Sequence, residues 1–158
     1  MPGPQACEAR RPSDGKVRHD DQNRSAPMTT PPPIEYADAS PQVRAVYDDI
    51  KKTRNVPDVN NFWKYLARDP VTLKRTWESI KEVMAPGALD PLTKEMVYVA
   101  VSVTNGCAYC IASHTAAARK AGMTNAMFGE LMAVVGMANE TNRLANGYRV
   151  PIDEFLAT

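Results

Sequence analysis

No stretch of this chain approaches the roughly 18 to 20 consecutive apolar residues that a membrane-spanning helix needs, so no membrane span is expected. The first residues also lack the continuous apolar run of about 7–15 residues that marks a secretory signal. A cytoplasmic protein is therefore expected. An excess of either charge is missing too: 19 Lys and Arg against 18 Asp and Glu leave a formal net charge of +1. Such a balance supplies no general field for nucleic acid or for an acidic membrane surface, and neither is expected as a partner. Over residues 1–33 aromatic side chains are absent, while seven of the thirteen prolines fall there among five basic and four acidic residues. That segment cannot bury enough surface to offset the entropy of ordering it, and it is expected to be a disordered, proline-rich tail.

Residues 34–158 are long enough for one domain with a real core. Ser40-Pro41, Asp69-Pro70 and Asp90-Pro91 each set a cap residue before a proline, which favours the first position of a helix. Behind the first, Val43, Val46, Tyr47 and Ile50 recur at i, i+3, i+4 and i+7, one face of a helix that should end near Arg54, ahead of Pro57. Asp58 is the expected cap of a short second helix carrying Val59, Phe62, Trp63 and Leu66. The third should bury Leu73, Trp77, Ile80 and Met84 and close at Pro86-Gly87. At this spacing the aromatics read as core residues.

From Asp90 the run Met96–Val103 is apolar and rich in β-branched residues, as a buried strand would be. The Asp-Pro start, Glu95 close to the positive end of a helix dipole, and the want of a partner strand favour a helix. Asn105-Gly106 interrupts it, and an alanine-rich helix follows over Cys107–Ala121, with Gly122 as its stop. Thr124 can cap a last helix running to Gly147, whose apolar residues Met127, Phe128, Leu131, Val134, Val135 and Ala138 cover more than one narrow stripe. Part of that surface is expected to meet another subunit. Ile152, Phe155 and Leu156 should dock a short tail. The expected fold class is all-α, about six to seven helices with short connections.

Chemistry concentrates between Glu95 and His114. At about 100° per residue, Cys107, Cys110 and His114 fall within roughly 60° of arc on one helix face, and Cys110 and His114 are i and i+4. Cys7 lies in the tail and reads as incidental, so Cys107 and Cys110 form the one close pair. In a reducing compartment such a pair is more often catalytic or metal-binding than a structural staple. A thiol near a helix N-terminus or beside a histidine is more readily ionised. His114 is the only histidine outside the tail, where His19 sits, and Glu95 on the preceding helix could orient it or relay a proton to it. The helix terminus favours Cys107 as the attacking sulfur, whereas contact with the imidazole favours Cys110. Both remain open on the residues alone. Two cysteines, His114 and Glu95 would also make four zinc ligands, although ligands so close on one helix close a tetrahedron awkwardly. Two buried cysteines serving as small apolar side chains are the plain alternative. Tyr98 and Tyr109 are candidate lining residues, equally explained as packing.

The spacing Glu-x11-Cys-x2-Cys-x3-His, met by Glu95, Cys107, Cys110 and His114, resembles that of the alkylhydroperoxidase D family within the carboxymuconolactone decarboxylase superfamily. The resemblance extends over roughly Tyr36 to Gly147, including Asn61-Phe62-Trp63 and Leu89-Asp90-Pro91. It implies a homo-oligomer, a trimer or a dimer of trimers, that reduces organic hydroperoxides through a dithiol and disulfide cycle without a cofactor or metal. In that scheme Cys110 attacks the peroxide, Cys107 resolves the resulting sulfenic acid, and Glu95 and His114 relay protons. A thiol electron donor of unknown identity would complete the cycle. Members of the peroxidase branch carry a histidine directly before the second cysteine, and Tyr109 stands there in this chain. The chain thus looks most like the broad set of peroxidase-related proteins. Two rival functions remain. One is a decarboxylase or isomerase of a small lactone acid, which needs no dithiol. The other is a thiol sensor without turnover.

Overall fold

The computed structural model describes residues 30–157, and the expected disorder of the tail falls almost wholly outside them. Residues 30–33 are irregular chain, and the Pro32 carbonyl accepts a hydrogen bond from Arg68. Six α-helices follow: α1 Pro41–Arg54, α2 Asn61–Leu66, α3 Pro70–Val83, α4 Pro91–Thr104, α5 Ala108–Lys120 and α6 Asn125–Tyr148. Short 3-10 turns at Tyr36–Asp38 and Glu154–Leu156 flank them, and no strand occurs among the described residues. The all-α expectation holds, including a helix over Met96–Val103, and no helix among the described residues is long and apolar enough to cross a membrane.

The helix starts follow from side-chain oxygens that satisfy backbone N–H groups left free at each N-terminus. Ser40 Oγ accepts from the Val43 N–H at 3.3 Å, Asp69 Oδ1 from Val71 and Thr72 at 3.0 and 3.2 Å, and Asp90 Oδ1 from Thr93 at 3.0 Å. Thr124 Oγ1 does the same for Met127 at 3.1 Å. Asp58 does not cap α2. Asn60 occupies that position, and Asp58 instead accepts from its neighbour Val59 and pairs with the Lys64 ammonium at 2.7 Å. Nor does Gly147 stop α6, which runs one residue further and ends where Arg149 turns left-handed at φ 50°.

The main core lies among the first three helices. Val43, Tyr47 and Ile50 of α1 meet Trp63 of α2 and Leu73 and Trp77 of α3, with Ala39 and Val59 closing the ends. The Trp63 and Trp77 rings meet edge to face, 5.5 Å between centroids, a favourable aromatic arrangement. Polar groups entering this core find partners: Tyr47 Oη donates to the Ile34 carbonyl at 2.9 Å, and Trp77 Nε1 to Asp49 at 2.6 Å. Lys64, itself buried, lies 2.7 Å from both Glu35 and Asp58.

The second half pairs α4 with α5 and lays α6 across α4. Burial is sparser there, limited to Val99, Ser102, Ala118, Met123 and Val135. Val134, Met137, Leu144 and Tyr148 of α6 are exposed, so the apolar excess read along this helix is not consumed within the chain. Ile152, Phe155 and Leu156 are exposed as well, and the expected docking of the C-terminal segment does not occur among the described residues. Phe62 was expected in the core and is 42% exposed, because the six-residue α2 turns it outward toward Tyr109.

Candidate active site

The site forms where α4 turns into α5. α4 ends at Thr104, and Gly106 adopts φ +67°, a left-handed turn that a side chain would strain. The Cys107 N–H then returns to the Ser102 carbonyl at 3.0 Å. This tight reversal makes Cys107 the N-cap of α5 and sets Cys110 in its first turn. Cysteine replaces the usual hydroxyl or carboxylate cap: Cys107 Sγ accepts from the Cys110 N–H at 3.3 Å.

Charge at the pair is distributed unequally. The Cys107 thiol is held below its ordinary range, chiefly by a hydrogen bond from the Cys110 thiol and then by the Cys110 N–H. Cys110 moves the other way, because it gives up that hydrogen bond to Cys107 and because it is more enclosed. Of the two sulfurs, Cys107 is therefore the more readily ionised.

One turn beyond Cys110, His114 points back to α4. Its Nδ1 lies 2.7 Å from Glu95 Oε2, with side chains only 13% and 18% exposed. Glu95 is the fifth residue of α4, beyond the first turn, so its place is explained by the imidazole rather than by the helix dipole expected from the sequence. Tyr98, one turn along from Glu95, stacks on the His114 ring at 3.5 Å and 17°. Burial and the neighbouring sulfurs push its phenol up, so it stays protonated beside them. His114 forms no hydrogen bond with Cys110 among the described residues; the i, i+4 spacing brings them to one pocket rather than into contact. Tyr109 is 44% exposed and its Oη accepts from the Phe62 N–H at 3.2 Å, tying α5 to α2.

Three hollows surround these groups. An apolar cavity of about 450 Å³ is bounded by Met84, Leu89, Val97, Tyr98 and Val101 and reaches both Cys107 and Cys110. A narrow space of about 50 Å³ lies between Cys110, Tyr98, His114 and Arg54. A third, of about 580 Å³, is lined by Arg54, Lys81, Lys120, Glu95 and His114. Cys110 borders the first two, whereas Cys107 borders only the apolar one. Among the described residues no three His, Cys, Asp or Glu side chains converge as metal ligands, so the four-ligand zinc arrangement is not formed.

All four residues singled out in the sequence thus meet at one place, in two pairs: sulfur with sulfur and imidazole with carboxylate. Arg54 escaped the sequence reading, in which it marks only the end of α1. A basic residue in a last turn is ordinary, and nothing local reveals that it reaches the site.

The comparisons with known proteins agree with the all-helical fold. A crystal structure of the alkylhydroperoxidase AhpD core from Rhodospirillum rubrum superposes with a TM-score of 0.79 at 50% identity, covering 83% of this chain and 98% of that one. An uncharacterized protein 4 of the cox locus of Paracoccus denitrificans is 43% identical over 54 residues, 34% of this chain and 49% of the relative. The match thus spans about half the length of that relative. The carboxymuconolactone decarboxylase family model matches residues 70–153, just over half of the chain and all four residues of the site, and the protein belongs to that family.

Proposed function

We propose that this protein is a thiol-dependent hydroperoxide reductase that cycles Cys107 and Cys110 between dithiol and disulfide. The observation that carries the proposal is the Cys107 and Cys110 pair at the start of α5, with the Cys110 N–H on Cys107 Sγ, set between an apolar cavity and a carboxylate-backed imidazole. A decarboxylase has no use for two coupled sulfurs, and a metal site would need converging ligands.

Attack is assigned to Cys110, because it borders both the apolar cavity and the narrow space that holds His114. Cys107, the more readily ionised thiol, is then the base in its thiolate form. Transfer of the Cys110 proton to the Cys107 thiolate leaves Cys107 as thiol and Cys110 as thiolate. The Cys110 thiolate attacks the terminal peroxide oxygen, the O–O bond breaks, and the departing alkoxide takes a proton from imidazolium His114 to leave as alcohol. Glu95, 2.7 Å from Nδ1, orients the ring for that transfer. Cys107 then attacks the Cys110 sulfenic acid, its thiol proton and the hydroxyl leave as water, and the disulfide forms. Two electrons and two protons from an external dithiol restore the starting state.

The test is a single turnover of reduced protein with an alkyl hydroperoxide. Cys107→Ser should still consume one equivalent and stop at sulfenic acid, and Cys110→Ser should consume none. The reverse pattern would transfer attack to Cys107, and conversion of a small lactone acid by a variant lacking both cysteines would replace the proposal with the decarboxylase reading.

Self-association belongs to the same proposal. Met137 is 60% exposed on α6 beside Val134 and Leu144, an apolar surface that a trimer or hexamer would cover. Light scattering should give a multiple of the 17.4 kDa chain mass, reduced by Met137→Asp; a monomer would remove self-association from the account.

A further inference from the structure

We infer that Arg54 is a carboxylate-binding residue and that the substrates are acidic hydroperoxides, with an apolar body and a carboxylate. The inference rests on the hydroperoxide reductase reading for its substrate and on independent geometry for its anion. Arg54 ends α1 with its guanidinium over both core indoles, 5.5 Å from the Trp63 ring centre and 5.3 Å from that of Trp77. This platform fixes the group against the core. Its donors are not used there: among the described residues the Arg54 side chain makes no hydrogen bond and no ion pair.

Several other basic side chains around the first three helices and α4 are occupied. Lys64 has Glu35 and Asp58, Lys81 has Asp49, Arg44 has the Tyr36 and Ala37 carbonyls, and Lys94 has the Val83 carbonyl. Burial disfavours the charged form of Arg54, and the nearby carboxylate, Glu95, is already held by His114. A half-buried guanidinium with free donors gains most from a planar, bidentate anion, which a carboxylate supplies.

Position specifies the rest of the ligand. Arg54 borders both the narrow space at Cys110 and the 580 Å³ cavity, where Lys81 and Lys120 add positive charge. On the other side of Cys110 lies the apolar cavity, whose lone basic residue, Lys94, donates to the Val83 carbonyl. A carboxylate at Arg54 and a hydrocarbon segment in the apolar cavity would leave the peroxide carbon between them, at Cys110. Neutral hydroperoxides fill only the apolar part.

The experiment reads binding rather than turnover. Trp63 and Trp77 are the two tryptophans of the chain and both touch Arg54, so indole fluorescence reports on the site itself. Reduced protein is titrated with octanoate and with octanamide, which differ in charge and not in length. Octanoate should bind about tenfold or more tightly than octanamide, as expected for one charge-assisted pair. Arg54→Gln should abolish the preference and Arg54→Lys should restore part of it, with circular dichroism confirming that each variant folds. Equal binding of the two probes by the unaltered protein overturns the inference without needing a variant, as does a preference that survives in a folded Arg54→Gln protein. Octanoate does not oxidise thiols, so failure of the peroxidase reading leaves this result legible. Turnover of a neutral hydroperoxide without octanoate preference would overturn the Arg54 assignment alone.

Discussion

His114 Nδ1 and Glu95 Oε2 stand 2.7 Å apart across the α4–α5 interface, and this contact joins two helices whose separate roles would otherwise not communicate. α5 presents the sulfurs, α4 supplies the carboxylate, and the imidazole spans them with Tyr98 stacked on its ring. Replacing Glu95 by Gln keeps a hydrogen-bonding partner and removes the carboxylate that orients the ring. Peroxide turnover should fall by about 10²- to 10⁴-fold in Glu95→Gln and in His114→Gln, the range for loss of a positioned acid or base. Steady-state kinetics checks this, and the double variant should be little worse than either single one. Additive losses would show that the two act separately.

Ionisation of the sulfurs is the second prediction. Because the depressed Cys107 thiol owes its shift chiefly to Cys110 and not to the imidazole, alkylation should label Cys107 first as pH rises, with a midpoint below that of an ordinary thiol. Cys110 should react only at higher pH. The two steps belong to the pair, since each sulfur sets the other's proton affinity. His114→Gln should leave the first midpoint in place. Peptide mapping after a pH series of iodoacetamide labelling distinguishes the sites, and a first midpoint that moves up in His114→Gln would restore the imidazole as the source of activation.

A third expectation concerns the N-terminal core. Burial pushes the Tyr47 phenol up to about 12, and its hydroxyl donates to the Ile34 carbonyl. A folded-state value above the unfolded one of about 10 means that this stabilisation is complete below pH 10 and is lost as pH rises toward 12. Tyr47→Phe should cost about 1 kcal/mol at neutral pH for the lost hydrogen bond. The gap between the two proteins in urea unfolding should narrow between pH 10 and 12. A constant gap would place the effect in packing alone.

Much of this architecture is legible in the chain because its signals are local. Ser40-Pro41, Asp69-Pro70 and Asp90-Pro91 each state a helix start in two residues, and the oxygens expected to cap do cap. Glu95 and His114 could be paired from spacing once two consecutive helices were recognised, since a tight reversal at Gly106 leaves them little choice but to pack together. What the spacing could not give depends on tertiary partners. Asp58 and Asn60 are both good caps, and Lys64 decides between them by drawing Asp58 away. Arg54 gains its role from Trp63 and Trp77, which α2 and α3 bring to it. Ile152, Phe155 and Leu156 look like docking residues by composition alone, and no surface among the described residues receives them.

The central claim is that Cys107 and Cys110 form one redox unit. Its most direct test is the intact mass of the fully reduced, metal-stripped protein after one equivalent of an alkyl hydroperoxide, followed by thiol alkylation and peptide mapping. The account predicts rapid loss of two hydrogens, mapped to a bridge between Cys107 and Cys110 and reversed by dithiothreitol. Two sulfurs that remain free and alkylatable in the presence of the peroxide would contradict it.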